Sequence, residues 1–287
     1  MGLIPKLDVH EDCCASCTSL APEYKTEMAK RRSTNLRSLK HVPRPLATLA
    51  YSVPAGAKTP LHAHDRAQFL YAVSGSMKIA TDLGRWIIPP QRAVWMPANY
   101  PHQPTTIGPV ELRTLYIRED ICPPPAPSMP QMLGVSAFLK ELVLRLMEMP
   151  VEYDEGGQDG QIVKTFLGEI DWTALHPVSL PRLHDKRLQL VEATLTKNPG
   201  STRTLEDWAT RLHCSSRTLA RLLLKETGLS FQRWRDQIRT FVSLPMIANN
   251  RTLSEIADEL GYETAWAFTA MFKRVTGQLP SRYFSSR

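Results

Sequence analysis

The stretch TLEDWATRLHCSSRTLARLLLKETG, Thr204 to Gly228, returns in altered form as TLSEIADELGYETAWAFTAMFKRVTG, Thr252 to Gly277. Thr204-Leu205 matches Thr252-Leu253, Ala209 matches Ala257 and Leu212 matches Leu260, each 48 positions on. After one inserted residue the offset becomes 49, and Leu219 matches Phe268, Leu223 matches Phe272, and Thr227-Gly228 matches Thr276-Gly277. Agreement in both spacing and residue type marks a duplicated supersecondary unit. Each copy reads as helix, short turn, helix. Leu205, Trp208, Ala209 and Leu212 recur at helical spacing, as do Leu253, Ile256, Ala257 and Leu260. Ser215 or Ser216 is suited to cap the next helix, whose buried face is Leu219, Leu222 and Leu223, and Gly228 ends it. Small Ala209 and Ala257 let the paired helices approach closely. The unit is a helix-turn-helix, whose second helix can enter a DNA major groove.

A duplicated helical bundle with no DNA to bind is the alternative reading. Charge shifts the balance against it. From Arg182 to Arg287 there are 17 Lys and Arg against 10 Asp and Glu, while the rest of the chain is balanced at 18 of each. The whole positive excess, +7, therefore sits in the third that carries the repeat. That distribution is the footprint of a surface facing phosphates. Arg217, Arg221 and Lys225 lie at i, i+4 and i+8 on the open face of the first copy's second helix, and the two arginines are suited to bidentate contact with guanine. In the second copy Trp266, Thr269, Ala270 and Lys273 form the open face, with burial of Trp266 in the core as the competing reading. Ser215, Ser216 and Thr264 at the helix starts complete the expected DNA-contacting set.

Ser216-Arg217-Thr218-Leu219-Ala220-Arg221, Glu226-Thr227-Gly228-Leu229-Ser230-Phe231, Ile256-Ala257 with Leu260-Gly261-Tyr262, Ala267-Phe268 through Met271-Phe272-Lys273, and Gly277-Gln278-Leu279-Pro280-Ser281-Arg282-Tyr283 together resemble the DNA-binding domain of the AraC/XylS family of bacterial transcription regulators. The resemblance covers about the last hundred residues. It implies two helix-turn-helix units joined by one linker helix, both reading one face of the DNA. The linker falls at Ser230 to Ala248, and Pro245 within it should kink the helix at Leu244, or stop it there and restart it at Met246.

A chain of 287 residues suggests about two domains, and 43% hydrophobic residues suffice for real cores. No apolar run approaches the roughly 20 residues needed to span a bilayer, and the opening MGLIPKLDVHEDCC is no secretory leader. The expected location is cytoplasmic, with five reduced cysteines. Residues 1–45 have few apolar side chains and no periodicity, and read as mostly disordered. His10, Cys13, Cys14 and Cys17 lie there without a supporting fold, and read as a tail rather than a zinc site.

Residues 46–120 hold short alternating runs bounded by Gly, Pro and Asn: Ala47–Val53, Gln68–Val73, Met77–Thr81, Arg85–Ile88, Ala93–Met96 and Glu111–Ile117. Such spacing predicts a small β-barrel or sandwich. Gly56, His62-Ala63-His64, Gln68 and Gly75 resemble the first cupin motif, with Gln68 where the enzymes carry a metal-binding Glu. Pro97-Ala98-Asn99-Tyr100-Pro101-His102 resembles the second, with Asn99 in place of a Gly and Thr106 in place of the closing Asn. His62 and His64, two apart on a strand, point the same way. Three readings of His62, His64, Gln68 and His102 stay open: an organic effector, a metal, or a polar plug. The neutral Gln68 favours the effector over the metal. Tyr71, Trp86, Trp95 and Tyr116 are candidates to line an apolar pocket, with core packing the more common role of each taken singly, and Tyr71 and Trp95 join the expected effector-binding set.

Residues 121–180 begin with the stiff connector Cys122-Pro123-Pro124-Pro125-Ala126-Pro127. Two amphipathic helices follow, Val135–Met149 and Gln161–Ile170. They either cover their own barrel or, as the resemblance implies, form a dimer interface. Residues 181–287 are the DNA-binding domain, led by a helix over Asp185–Thr196.

The fold class expected is therefore α+β and multidomain: a cupin-like β-barrel with a helical dimerisation segment, then an all-α double helix-turn-helix domain. The function expected is a regulator that binds double-stranded promoter DNA, responds to a small-molecule effector, works as a homodimer beside RNA polymerase and has no membrane partner. The alternative is a metal-dependent cupin isomerase or dioxygenase with vestigial DNA binding.

Overall fold

The computed structural model describes residues 42–90, 92–124, 126–173 and 178–283. The cysteines at 13, 14 and 17 and His10 lie outside the described residues. Two antiparallel sheets form the N-terminal part. The first joins β1 (Leu46–Val53), β2 (Ala67–Ser74), β5 (Arg92–Met96), β7 (Val110–Ile117) and β8 (Gln131–Gly134) in the order β1-β7-β2-β5-β8. The second joins β3 (Met77–Thr81), β4 (Gly84–Ile88), β6 (Gln103–Thr106) and β9 (Ser179–Leu180) in the order β6-β3-β4-β9. All six expected runs are strands. The other three escape a pattern search for physical reasons. β6 carries Pro104 on a sheet edge, the one place in a sheet where a missing donor is tolerated. β8 follows the prolines of the connector, and β9 has two residues.

Side-chain parity fixes what each strand face meets. On β2, Ala67, Phe69 and Tyr71 point away from the barrel, while Leu70 and Ala72 point into it. The outer face is covered by α1 (Ala137–Glu148) and α2 (Gln158–Glu169), through Leu139, Leu142, Val143 and Leu146 of one and Val163, Phe166 and Leu167 of the other. Phe166 meets Phe69 edge-on at 5.4 Å. Each such side chain contributes about 1.5–3 kcal/mol when fully buried, so covering their own barrel is what these helices' apolar faces do.

The C-terminal part is helical: α3 (Lys186–Lys197), α4 (Leu205–Arg211), α5 (Ser216–Thr227), α6 (Phe231–Ala248), α7 (Leu253–Glu259), α8 (Ala265–Thr276) and the short α9 (Pro280–Tyr283). The sequence duplication is reproduced atom by atom at the helix ends. α4 and α7 both open on a reciprocal capping box, Thr204 with Asp207 and Thr252 with Glu255. Ser215 caps α5 and Thr264 caps α8, each accepting from the third amide on. Gly228 and Gly277 close those helices in the left-handed region, at φ 72° and 76°. Trp208, Leu219, Leu223, Trp234, Ile238, Phe241, Ile256, Phe268 and Phe272 form one core.

The expected stop at Leu244 and restart at Met246 is not there: α6 is one helix from Phe231 to Ala248, with Pro245 inside it. Pro245 lies in the last turn, so only its own missing donor is lost to the ladder. Its carbonyl still accepts from Asn249 N–H at 3.0 Å. Leu244 and Pro245 are both buried, and that packing offsets one absent hydrogen bond of about 1 kcal/mol.

Candidate functional site

The two second helices present the residues that the repeat singled out. On α5, Leu219 and Leu223 are buried, and Arg217, Arg221 and Lys225 are exposed on the opposite side. Ser215 is exposed and Ser216 half-buried at the helix start. On α8, Phe268, Met271 and Phe272 face the core while Ala270 and Lys273 are exposed and Thr269 half-buried. Thr264 is exposed at the cap. Trp266 is 79% exposed, so it is no part of the core. Leu224, 58% exposed beside Arg221 and Lys225, belongs to the same face and was not singled out from sequence. Its signal is that Leu219, Leu222 and Leu223 already fill the inner stripe.

The second helix of the second copy is tied to α6, the strut that joins the two copies. Asp236 of α6 is buried, and its carboxylate accepts from Arg274 Nη2 of α8 at 2.8 Å and from Gln232 Nε2 at 3.0 Å. Arg239 of α6 donates to the carbonyls of Pro199 and Ser201 and stacks 4.9 Å over the Tyr262 ring. These contacts fix the α7–α8 unit against the strut.

The second constellation lies just outside β6, where half-buried His62 and His64, on no named strand contrary to expectation, meet buried His102. His62 and His102 form an isolated antiparallel bridge, and His64 sits beside them. The rings are 4.4–5.4 Å apart, and their nearest nitrogens all lie within 4.8 Å of one another. Nδ1 of His62 faces the Pro60 carbonyl at 2.8 Å, and Nδ1 of His102 faces that of Tyr100 at 2.9 Å. Protons on those nitrogens satisfy the carbonyls and leave the Nε2 lone pairs free to accept. Burial, with the neighbouring His62, pushes His102 down to about 4, and burial lowers His62. Both are uncharged at neutral pH. Gln68, on the inward face of β2 opposite Tyr116, is buried, and its Oε1 has no hydrogen-bond partner among the described residues. Thr114 of β7, fully buried on the same inward face, has its hydroxyl in the same condition. Tyr116 meets His64 edge-on at 5.1 Å. Buried polar atoms left unpaired cost about 1–3 kcal/mol each.

Tyr71 and Trp95 do not belong to this cluster. They lie on the outer face of the first sheet, in the core under α1 and α2. Trp95 pairs with Phe69, donates its Nε1–H to the Pro127 carbonyl at 2.9 Å and packs edge-on against Trp172. The reason is the two-residue period: with Gln68 inward, Phe69 and Tyr71 must point outward. Thr114 and Tyr116 take their places. An alternating β7 with Thr114 on the apolar parity was the sequence signal for the former.

Comparison with known proteins fits both constellations. A helix-turn-helix domain model matches residues 208–286 and a cupin domain model matches residues 50–118. The HTH-type transcriptional regulator NimR of Escherichia coli K12 is 30% identical over 245 residues, 83% of this chain and 88% of its own length. The chain belongs to the AraC/XylS family of transcription regulators. The activator RhaR of Escherichia coli K12 is 30% identical over 111 residues, 38% of either chain. A structure of ToxT from Vibrio cholerae covers 84% of this chain and 98% of that one at 13% identity, with a TM-score of 0.34, too low to bear on the argument. The AraC/XylS relatives are named as regulators, so this chain is a sequence-specific DNA-binding regulator and not a cupin enzyme. Among the described residues no helix is long and apolar enough to cross a membrane.

Proposed function

We propose that the regulator reads promoter DNA with Arg217, Arg221, Lys225 and capping Ser215 and Ser216 from α5, and with Trp266, Thr269, Lys273 and capping Thr264 from α8. Two helices on one strut suit major-groove faces about 34 Å apart. It acts in the cytoplasm, as a homodimer, by placing itself near RNA polymerase. The proposed domain division is an N-terminal segment to residue 45, a barrel over 46–120, connector and helices to 180, and the DNA-binding domain beyond, with β8 and β9 of the third segment completing the barrel's sheets.

The effector is assigned to the cluster of His62, His64, Gln68, His102, Thr114 and Tyr116. The observation that carries this is the buried Gln68 Oε1, left unpaired on the inward face opposite Tyr116, which packs edge-on against His64. The occupant is a small molecule that donates and accepts hydrogen bonds. A thermal-shift screen of small polar metabolites should yield ligands that raise the melting temperature of the wild-type chain. His102→Ala should abolish that rise, and a ligand that stabilises both equally would place the site elsewhere.

The imidazoles could accept a first-row ion, but the fourth position, Gln68, is neutral. The set lacks the carboxylate that would hold a divalent cation firmly. Protein purified without added ions should carry no stoichiometric metal by elemental analysis, and one tightly held ion per chain would overturn the effector assignment.

A further inference from the structure

The two halves of the chain are joined by more than a tether. Strand β9, which leads into the DNA-binding helices, is hydrogen-bonded onto the edge of the barrel's second sheet, with Leu180 opposite Arg85 and Ser179 opposite Trp86. The fit is close at Gly84, where an added Cβ would lie 2.5 Å from the Leu180 carbonyl oxygen, at φ 135°. Arg85 extends from β4 to the carboxylate of Glu192 on α3, a side chain 5% exposed. Ile87, two residues on and on the same outer face, is packed in the DNA-binding core with Val178, Leu180 and Leu188. Gln237 of the strut α6 donates to the Ser179 carbonyl. Arg92 of β5 donates to the Tyr283 carbonyl of α9 at 3.2 Å.

The other end of that sheet is the histidine cluster. His102 immediately precedes β6, and β6, β3, β4 and β9 are neighbours in that order. One hydrogen-bonded sheet therefore runs from the His62–His102 bridge to the strut that carries both reading helices. We propose that this clasp, β4 and β9 with Arg85, Glu192 and Gln237, is the element that couples the barrel to the DNA-binding face. An occupant that repositions His102 shifts β6 and, through β3 and β4, the seat of α6. The direction of this coupling rests on the effector reading above. Its existence does not, because coupling between two sites is reciprocal. DNA bound at α5 and α8 must act back on the barrel.

DNA is thus the probe. A duplex selected from random sequence by the full chain is added, and amide hydrogen exchange is followed in the barrel. DNA should slow exchange in β3, β4 and β6 of the wild type. That slowing should be lost, with DNA still bound, in Gln237→Ala and in the paired variant Arg85→Met with Glu192→Met. The pair removes both charges together, so neither is left buried and alone. Should the pair not fold, Gln237→Ala and the wild type carry the test. Barrel strands that exchange equally fast with and without DNA in the wild type, or slowing that survives in every folded variant, overturn the proposal. A ligand screen that fails while the exchange result holds would remove only the effector assignment.

Discussion

The double variant Arg217→Ala with Arg221→Ala should lose most sequence discrimination while folding normally. Both side chains are exposed on α5 and appear in no hydrogen bond or ion pair described for the chain, so removing them takes nothing from the core. Their backbone positions stay fixed by Leu219 and Leu223 inside and by the Ser215 cap, whose hydroxyl accepts from Thr218 N–H at 3.2 Å. A bidentate arginine–guanine pair is worth about 1–3 kcal/mol of discrimination. Two of them, four residues apart and reaching neighbouring bases, make the loss roughly 2–6 kcal/mol if they act independently. Because both arginines are assigned to base edges rather than phosphates, the loss should fall on discrimination between sequences more than on the salt dependence of binding. The measurement is binding to the selected duplex and to a scrambled one, at two salt concentrations. Arg221→Ala alone should relax preference at one base position, whereas Lys225→Ala should weaken both duplexes alike. If the double variant still separates the two duplexes as the wild type does, α5 is not a reading helix.

What the sequence disclosed, and what it hid, follows from how local each feature is. The duplication was legible because caps, apolar stripes and closing glycines are all short-range: Thr204 and Thr252 announce their capping boxes three residues ahead. The strands were legible for the same reason, through two-residue alternation. Which face of a strand looks inward is not local. Tyr71 and Trp95 are aromatic residues on strands of the same barrel, but Gln68 sets the parity of β2, and pairing of Phe69 with Trp95 carries that parity to β5. Only the register reveals it. Strand β9 has two residues and no pattern at all. It is a strand because β4 lies beside it, a contact between residues more than ninety positions apart. Pro245 does not stop the helix, for the opposite reason. Its local cost was correctly read, but the burial of Leu244 and Pro245 in the last turn of α6 is tertiary and outweighs it.

The largest stability effect should come from Arg274→Ala. Arg274 is itself largely exposed, which would ordinarily make its loss a minor matter. Its partner is the exception: the Asp236 side chain is 4% exposed in the heart of the strut. Taking the guanidinium away leaves a buried carboxylate with Gln232 Nε2 as its remaining side-chain donor. Breaking a buried pair from one side costs about 3–5 kcal/mol, and the bond retained from Gln232 sets the expected loss near the lower figure, about 3 kcal/mol. The functional consequence follows from position. Arg274 is in the last turn of α8 and Asp236 is on α6, so the pair holds the second reading helix to the strut. Denaturant unfolding of Arg274→Ala should show the drop, with DNA affinity reduced at concentrations where the chain is still folded. Adding Asp236→Asn should recover part of the stability, because the buried charge is then gone, but not the DNA affinity, because the tie between the helices is still missing. A double variant no more stable than Arg274→Ala alone would mean that the carboxylate finds solvent when its partner leaves, and that the strut holds α8 through its apolar core rather than through this pair.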